Sequence, residues 1–286
     1  MTNQNESPLA RHLQCEARKI NKERPHLSHT EALNHAAKEA GYENWRHFKN
    51  VDDASISLQN TLPAFKTTIS CPWRDSVNRS FCHESINLVL PCRLAETLPK
   101  PELFRRLFGD ASVDLQNNAM KLPGLYSYGD DTPVTQQRLT RERVSQAARY
   151  LMFMATTGLT LSKAWEAPMA GYFKTRSRRD RNPCFDHTKV WRDSDGRYLI
   201  TTEPYGPRLS KEWDDLIQLS TECGYTVVRT SWSGMHNPHE NEREGTRLII
   251  ISNIKNGVKI DALLQIINQL PNQHLPDNWQ GTSTKF

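Results

Sequence analysis

The first fifty residues alternate between apolar and polar positions with the period of an α-helix. A first helix is predicted where apolar residues recur every three or four positions, at Leu9, Leu13, Ala17 and Ile20. A second begins at Ser28, whose side chain can cap the first turn while Glu31 reaches back to the Ser28 amide. A third, shorter helix is predicted to begin at Asn44. The pattern predicts a helical module over residues 1–55.

The strongest helical pattern lies in the middle of the chain, between Thr140 as the predicted N-cap and Gly158 as the predicted stop. Its apolar face comprises Val144, Ala147, Ala148, Leu151, Met152 and Ala155. On this pattern Arg141, Arg143 and Arg149 fall on the exposed side. A short second helix is predicted over "SKAWEAP", residues 162–168.

The C-terminal part combines strands with helices. "TKVWR" and "RYLITTEPY" predict a β-hairpin whose turn, "DSDG", places Gly196 where a positive φ is needed. Two more strands are predicted in "YTVVRTSW" and "TRLIIIS", and helices in "SKEWDDLIQLSTECG" (Ser210 to Gly224) and from Asp261. The order ββαββα predicts an α+β domain over 138–286, an antiparallel-rich sheet with helices packed on it.

Residues 56–137 give a weaker pattern, because Pro, Asn and Ser interrupt it. A strand is predicted in "ESINLVLPC" and a short helix beginning at Pro101. The region is either a connection or the first half of an α+β sheet.

Composition adds limits on location. The chain has 286 residues, 37% of them hydrophobic, and no apolar run reaches the roughly 18 residues that a membrane helix needs. The N-terminus has no apolar core typical of a secretory signal, so a cytoplasmic location is expected. The six cysteines form no Cys-x-x-Cys pair and are expected to be free thiols. No cofactor and no membrane partner are expected.

Positive charge is concentrated near the middle of the chain. Residues 138–192 hold twelve Lys/Arg and four Asp/Glu, a net +8 in a chain of net +5. Its densest part, which we call the basic segment (residues 172–181), combines aromatic and basic side chains: Tyr172, Phe173, Lys174, Arg176, Arg178, Arg179 and Arg181. Cations can contact phosphates and rings can stack on bases, so the segment suits DNA or RNA. A solvated, arginine-rich loop is the alternative.

Candidate catalytic residues lie where two predicted strands begin and end. Cys184, Asp186 and His187 precede the hairpin, and Glu203 and Tyr205 end its second strand. The question is whether these strand ends face one cleft. The alternative is that His187 is a strand-edge residue that donates to backbone or to a carboxylate.

A third group lies in "WSGMHNPHENE", where His236 and His239 are three residues apart. Pro238 excludes the helix that would place both rings on one face, so no metal site is predicted. His236 remains a candidate for the catalytic cluster.

Several segments resemble a known family. "LSHTEALNHAAKEAGYENW" resembles a short helical motif at the front of many bacterial plasmid-encoded proteins. "RYLMFMATTGLTLSKAW", "DHTKVWRDSDGRYLITTEPY", "WSGMHNP" and "DNWQGTS" resemble a bacterial plasmid and mobile-element domain of unknown function, family 5623. The family often has Pro-Gly where Cys184-Phe185 stands here, which weakens a catalytic role for the cysteine. The resemblance implies a mobile-element context and no known activity. The shared residues are Asp186, His187, Trp191, Glu203, Pro204, Tyr205, Trp232, Gly234 and Met235.

Three hypotheses follow. The first is a non-enzymatic accessory protein of a mobile element that contacts DNA or RNA through the basic segment, with help from the N-terminal helices. The second is an enzyme whose pocket gathers Asp186, His187, Glu203, Tyr205 and His236. The third is an adaptor that docks a protein partner through the N-terminal helices, which requires an exposed apolar patch there.

Overall fold

The computed structural model describes residues 8–40, 42–50, 64–124, 132–170, 187–204, 216–236, 248–271 and 279–286. The chain divides into two compact units, residues 1–63 and 64–286. The fold is α+β, with N-terminal helices and two largely antiparallel sheets, as the sequence predicts. Within the parts of the chain that are described, no helix meets the length and hydropathy that a membrane span requires.

The first unit contains the three predicted helices: α1 (Pro8–Glu23), α2 (His29–Glu39) and α3, helical over residues 45–50. The predicted capping box is confirmed, since Ser28 Oγ accepts from the Glu31 amide at 3.3 Å and the Ser28 amide donates to Glu31 Oε2 at 2.8 Å. Asn44 caps α3 by accepting from the His47 amide at 2.9 Å. The helices bury small residues against one another, among them Ala10, Ala17, Ala32, Ala36 and Ala37.

In the second unit, residues 64–124 form a sheet and two helices. Two eleven-residue strands, β1 (Phe65–Asp75) and β2 (Ser80–Leu90), form an antiparallel hairpin. It is followed by α4 (Leu94–Thr97) and α5 (Pro101–Phe108). Two short strands, β3 (Ser112–Asp114) and β4 (Ala119–Lys121), complete this part. The first sheet also contains the C-terminal strand β10 (Thr282–Lys285). Its order is β10-β2-β1-β4-β3, in which β1 and β4 are parallel. The predicted strand and the helix at Pro101 are confirmed.

The central helix α6 (Pro133–Thr157) begins earlier than the sequence predicts. Thr132 is the N-cap and Pro133 opens the first turn, where a missing amide costs nothing. Thr140 is therefore not a cap: it is buried inside the helix, and its hydroxyl donates to the Gln136 carbonyl at 2.7 Å. The predicted stop is confirmed, because Gly158 is the C-cap with φ +67°.

The second sheet lies on the other side of α6. Its strands are β5 (Thr160–Ser162), β6 (Lys189–Arg192), β7 (Tyr198–Thr202), β8 (Tyr225–Arg229) and β9 (Ile249–Asn253). Their order is β5-β6-β7-β9-β8, and every neighbouring pair is antiparallel. The "DSDG" hairpin is confirmed, with Gly196 at φ +83°. The predicted helix over 162–168 is wrong, since β5 ends at Ser162 and residues 166–169 form turns.

The remaining elements are α7, helical over residues 216–221, α8 (Ile260–Asn268) and β10 (Thr282–Lys285). Ser210, the predicted start of α7, lies outside the described residues. One apolar cluster joins Ile69 and Ile86 of the first sheet, Leu151 of α6, and Trp191 and Leu199 of the second. The helix thus supplies core side chains to both sheets.

A buried carboxylate on β2 ties three parts of this unit together. Glu84 is fully buried and accepts from Trp73 Nε1 at 3.2 Å, Gln137 Nε2 at 2.9 Å, Arg141 Nε at 3.1 Å and Ser283 Oγ at 2.6 Å. These donors come from β1, α6 and β10. These four donors, one of which is the Arg141 cation, compensate for the burial of the charge.

Replacing Glu84 with glutamine is expected to lower the free energy of unfolding by about 2–3 kcal/mol. The substitution removes the negative charge, and the glutamine amide nitrogen, itself a donor, would face the donors that now contact Glu84. Urea denaturation measures this. Faster amide exchange at residues 282–285 should accompany it, since the Ser283 hydroxyl loses its carboxylate acceptor. Glu142→Gln is the control, because Glu142 pairs with Arg138 at the surface and such pairs contribute little. Equal unfolding midpoints for the two variants would contradict this role of Glu84.

Candidate functional site

One face of α6 carries polar and aromatic side chains toward the second sheet. Gln146, Arg149, Tyr150 and Phe153 are spaced i, i+3, i+4 and i+7, so they lie along the same side of the helix. The rings of Tyr150 and Phe153 approach the Trp191 ring, with centroids 6.3 and 4.8 Å apart. The aromatic contacts fix the position of the helix against the sheet, and with it the position of Arg149.

Glu203 follows directly after β7 and is 1% exposed. Its Oε2 accepts from the backbone amides of Met235 at 2.9 Å and His236 at 2.7 Å. A carboxylate that accepts two amides holds a turn in a single conformation. Glu203 therefore fixes the turn of residues 233–236 to the end of β7.

Arg149 holds the same turn from its other side. The residue is fully buried, its Nε donates to the Gly234 carbonyl at 2.6 Å, and its Nη2 donates to Ser233 Oγ. Its guanidinium carbon lies 5.2 Å from the centroid of a Trp232 ring. Two amides of the turn thus donate to Glu203, and its Gly234 carbonyl accepts from Arg149. The prediction that Arg149 is exposed is wrong.

Burial acts on both charges. It raises the pKa of Glu203, while the His236 and Met235 amides and the Arg149 and Lys189 charges act in the opposite direction. Burial lowers the pKa of Arg149 to about 9, and the Glu203 charge opposes this. Arg149 is therefore still a cation at neutral pH. The Lys189 pKa is also lowered by burial, against the attraction of Glu203 and with a contribution from nearby Arg106.

Two histidines meet beside this turn. The His187 and His236 rings are stacked with centroids 3.3 Å apart and planes at 27°. His236 Nδ1 lies 2.6 Å from Gln146 Nε2, and His187 adopts a left-handed backbone, φ +49°, just before β6. Both residues are half-buried. His187 and Glu203 therefore both contact His236. His187 stacks on its ring, and Glu203 accepts from its backbone amide.

We call Arg149, His187, Lys189, Glu203 and His236 the polar centre. It holds two cations and one carboxylate, together with the stacked imidazoles of His187 and His236. Its net charge is positive, which suits an anion. Its imidazoles are the groups on which acid–base chemistry would depend.

The backbone at Gly234 is part of this arrangement. Its φ is +90°, and a β-carbon there would overlap the Glu203 carboxylate. Only glycine combines this conformation with such a close approach.

The structure brings together three of the five predicted catalytic residues: His187, Glu203 and His236. Asp186 and Tyr205 lie outside the described residues, as do Cys184 and the whole basic segment. The sequence analysis missed Arg149, Lys189 and Gln146. No group of three or more His, Cys, Asp or Glu side chains that could hold a metal ion occurs within the described ranges.

The N-terminal module offers little to a docking partner. Among its residues whose exposure is described, every large apolar side chain is buried or half-buried, including Trp45 and Leu33. The apolar patch that an adaptor requires is therefore not present on that part of the module.

No family model matches the chain, and neither does any curated protein or solved structure. The resemblance to family 5623 therefore stays a prediction.

Proposed function

We propose that the protein is a non-enzymatic accessory protein of a mobile element that contacts DNA or RNA through the basic segment. The observation that carries this is the charge of residues 172–181, where five Lys/Arg are opposed by Asp180 alone. Tyr172 and Phe173 add rings that can stack on bases. The mobile-element context comes from the resemblance to family 5623.

The engagement of the α6 arginines within the fold favours phosphate contact at the basic segment rather than on α6. Arg138 pairs with Glu142, Arg141 with Glu84, and Arg143 Nη1 donates to the Pro123 carbonyl at 3.1 Å. Arg149 is buried against the turn at Gly234. These four cations are engaged within the fold, so they are poorly placed to neutralise a phosphate.

The C-terminal side of the basic segment leads into the polar centre. Six residues after Arg181 the chain reaches His187, which is fixed by its stack on His236. Lys189 and Arg106 place further positive charge nearby. Positive charge therefore continues along the sequence beyond the basic segment.

A salt titration tests the proposal. Fluorescence anisotropy with a labelled single-stranded RNA and a labelled DNA duplex should show binding at low salt that weakens linearly in log–log form. Changing Arg176, Arg178, Arg179 and Arg181 to glutamine should lower affinity about 100-fold or more. It should also reduce the salt slope by about one unit for each lost phosphate contact.

The matched control removes four charges from the N-terminal module instead, at Arg18, Arg24, Lys38 and Arg46. We expect a smaller loss of affinity from this variant than from the basic-segment variant, because the N-terminal helices only assist the contact. The proposal fails if neither nucleic acid binds at low salt, or if the two quadruple variants lose affinity equally.

The convergence of His187, Glu203 and His236 favours a second candidate, an enzyme that uses the histidine pair for proton transfer. A stacked pair differs from two isolated imidazoles, because two imidazolium charges this close repel each other. The pair can hold one proton that either ring donates, and Glu203 keeps His236 in place through its amide. Imidazole acid–base catalysis typically contributes 10²–10⁴-fold in rate, on the order of several kcal/mol.

One comparison separates the two candidates. With the same RNA and DNA, the enzyme candidate predicts turnover that His187→Asn and His236→Asn abolish while affinity is retained. The binding candidate predicts no cleavage by the wild-type protein. Intact nucleic acid after prolonged incubation with the wild type therefore removes the second candidate for this substrate class.

A further inference from the structure

A cleft of about 720 Å³ lies between the start of α5 and the edge strand β5. One wall is the segment from Leu98 to Leu103, and the other is formed by Thr160–Lys163 with Arg192 of β6. The cleft is distinct from the polar centre, since none of its lining residues belongs to that group. Its volume lies within the range of roughly 300–1,000 Å³ typical of small-molecule sites.

The lining combines apolar and hydroxyl groups. Leu98, Pro99, Leu103 and Leu161 provide apolar surface, and all four are buried or half-buried. Thr160 and Ser162 contribute hydroxyl groups along β5. An apolar wall with a few polar groups is the usual composition of a site for an organic molecule.

The charged groups of the lining are mostly positive. Lys100, Lys163 and Arg192 face one carboxylate, that of Glu102, which forms an ion pair with Lys163 across the cleft. The hydrogen bond that Lys163 donates, together with the Lys163 charge, lowers the pKa of Glu102, so this carboxylate is ionised at neutral pH. Among the described residues no carboxylate pairs with Arg192, whose guanidinium lies over the Tyr198 ring at 5.8 Å. The cleft keeps a net positive charge.

We propose that this cleft binds a small organic anion, a phosphate monoester or a carboxylate with an apolar body. Arg192 contacts the anionic group, because a guanidinium offers paired donors to such groups. The apolar body packs against Leu98, Leu103 and Leu161. Glu102 opposes binding by occupying Lys163, so the ligand competes with Glu102 for that ammonium group. The inference is independent of the proposed nucleic-acid function.

Two substitutions that are expected to change ligand affinity in opposite directions provide the test. The probe is anilinonaphthalene sulfonate, an aromatic anion whose fluorescence rises in an apolar site. Arg192→Met should weaken its saturable binding by tenfold or more. Glu102→Gln removes the competing carboxylate and frees Lys163, so it should tighten binding severalfold. Arg105→Met is the matched control, because Arg105 lies on α5 outside the cleft lining and pairs with Asp110.

Competition identifies the chemistry of the ligand. Phenyl phosphate should displace the probe at concentrations where inorganic phosphate does not, since the latter lacks an apolar body. Unfolding midpoints of the three variants should match the wild type, as all three substituted side chains are exposed. The proposal is overturned by an absence of saturable binding, by equal effects of Arg192→Met and Arg105→Met, or by weaker binding in Glu102→Gln. Equal displacement by inorganic phosphate would also overturn it.

Discussion

Replacing Arg149 with methionine is expected to lower the free energy of unfolding by about 3–5 kcal/mol. The substitution keeps most of the side-chain volume but removes the larger of the two cationic charges that act on the buried Glu203. It also removes the donors to the Gly234 carbonyl and Ser233, so that a buried carbonyl loses its partner. Urea denaturation followed by tryptophan fluorescence measures the loss, and Trp232 reports directly on the turn.

Two variants check that the buried pair is responsible. Arg138→Met removes an exposed cation from the same helix, and its cost should stay below about 1 kcal/mol. The double variant Arg149→Met, Glu203→Gln should cost less than the sum of the two single changes, because each charge is most costly when the other is missing. A cost below about 1 kcal/mol for Arg149→Met, or strict additivity, would show that the pair does not stabilise the turn.

Gly234→Ala is the second large effect, with an expected loss of about 3 kcal/mol or more. A left-handed backbone costs a non-glycine residue on the order of 1 kcal/mol, and strained positions reach about 3. The β-carbon would additionally displace the Glu203 carboxylate, which has no room to move without releasing the Met235 and His236 amides. Thermal unfolding measured by circular dichroism gives the difference.

Gly158→Ala separates the two contributions. Gly158 also has a positive φ, +67°, but a β-carbon there would meet nothing within 4 Å. Its cost should therefore be the backbone term alone, about 1 kcal/mol. The excess at Gly234 is the free energy of forcing the carboxylate away. If both variants lose the same stability, the close approach at Gly234 is not important to the turn.

Local patterns in the sequence predict the elements that depend on neighbouring residues. The capping box at Ser28, the Gly196 turn and the C-cap at Gly158 are each specified by two or three adjacent residues, and the structure confirms all three. The β1–β2 hairpin was only partly predicted. Pro72 lies inside β1, and proline usually argues against a strand interior.

Arg149 shows where a periodic pattern misleads. The sequence analysis assumes that α6 packs on one side only, and on that assumption Arg149 falls outside its apolar face. The residues from Ala147 to Met154 are nevertheless all buried, because the helix has a sheet on each side. Seven apolar residues around one arginine were the available signal, since a helix that is apolar all round is buried all round. The partner, Glu203, could not be predicted, because the contact depends on the tertiary arrangement of α6 and β7.

The predicted catalytic residues show the same difference between local patterns, which the sequence predicts, and tertiary contacts, which it does not. Placing His187 and Glu203 at strand ends required only the hairpin, which is a local pattern. Their shared contact with His236 depends on the turn at 233–236. That turn is set by the backbone conformation of Gly234 and by the buried guanidinium of Arg149. Such long-range contacts leave no periodic trace in the sequence.

The pairing of β10 with β2 has a consequence for synthesis. Ser85 and Thr282, which face each other across this pair, are 197 residues apart. At a translation rate of about 5–20 residues per second, roughly 10–40 s pass between the synthesis of β2 and that of β10, which pairs with its edge. An uncovered strand edge is a template for pairing with other chains. The interval between the emergence of β2 and that of β10 is thus when the nascent chain is most prone to aggregate.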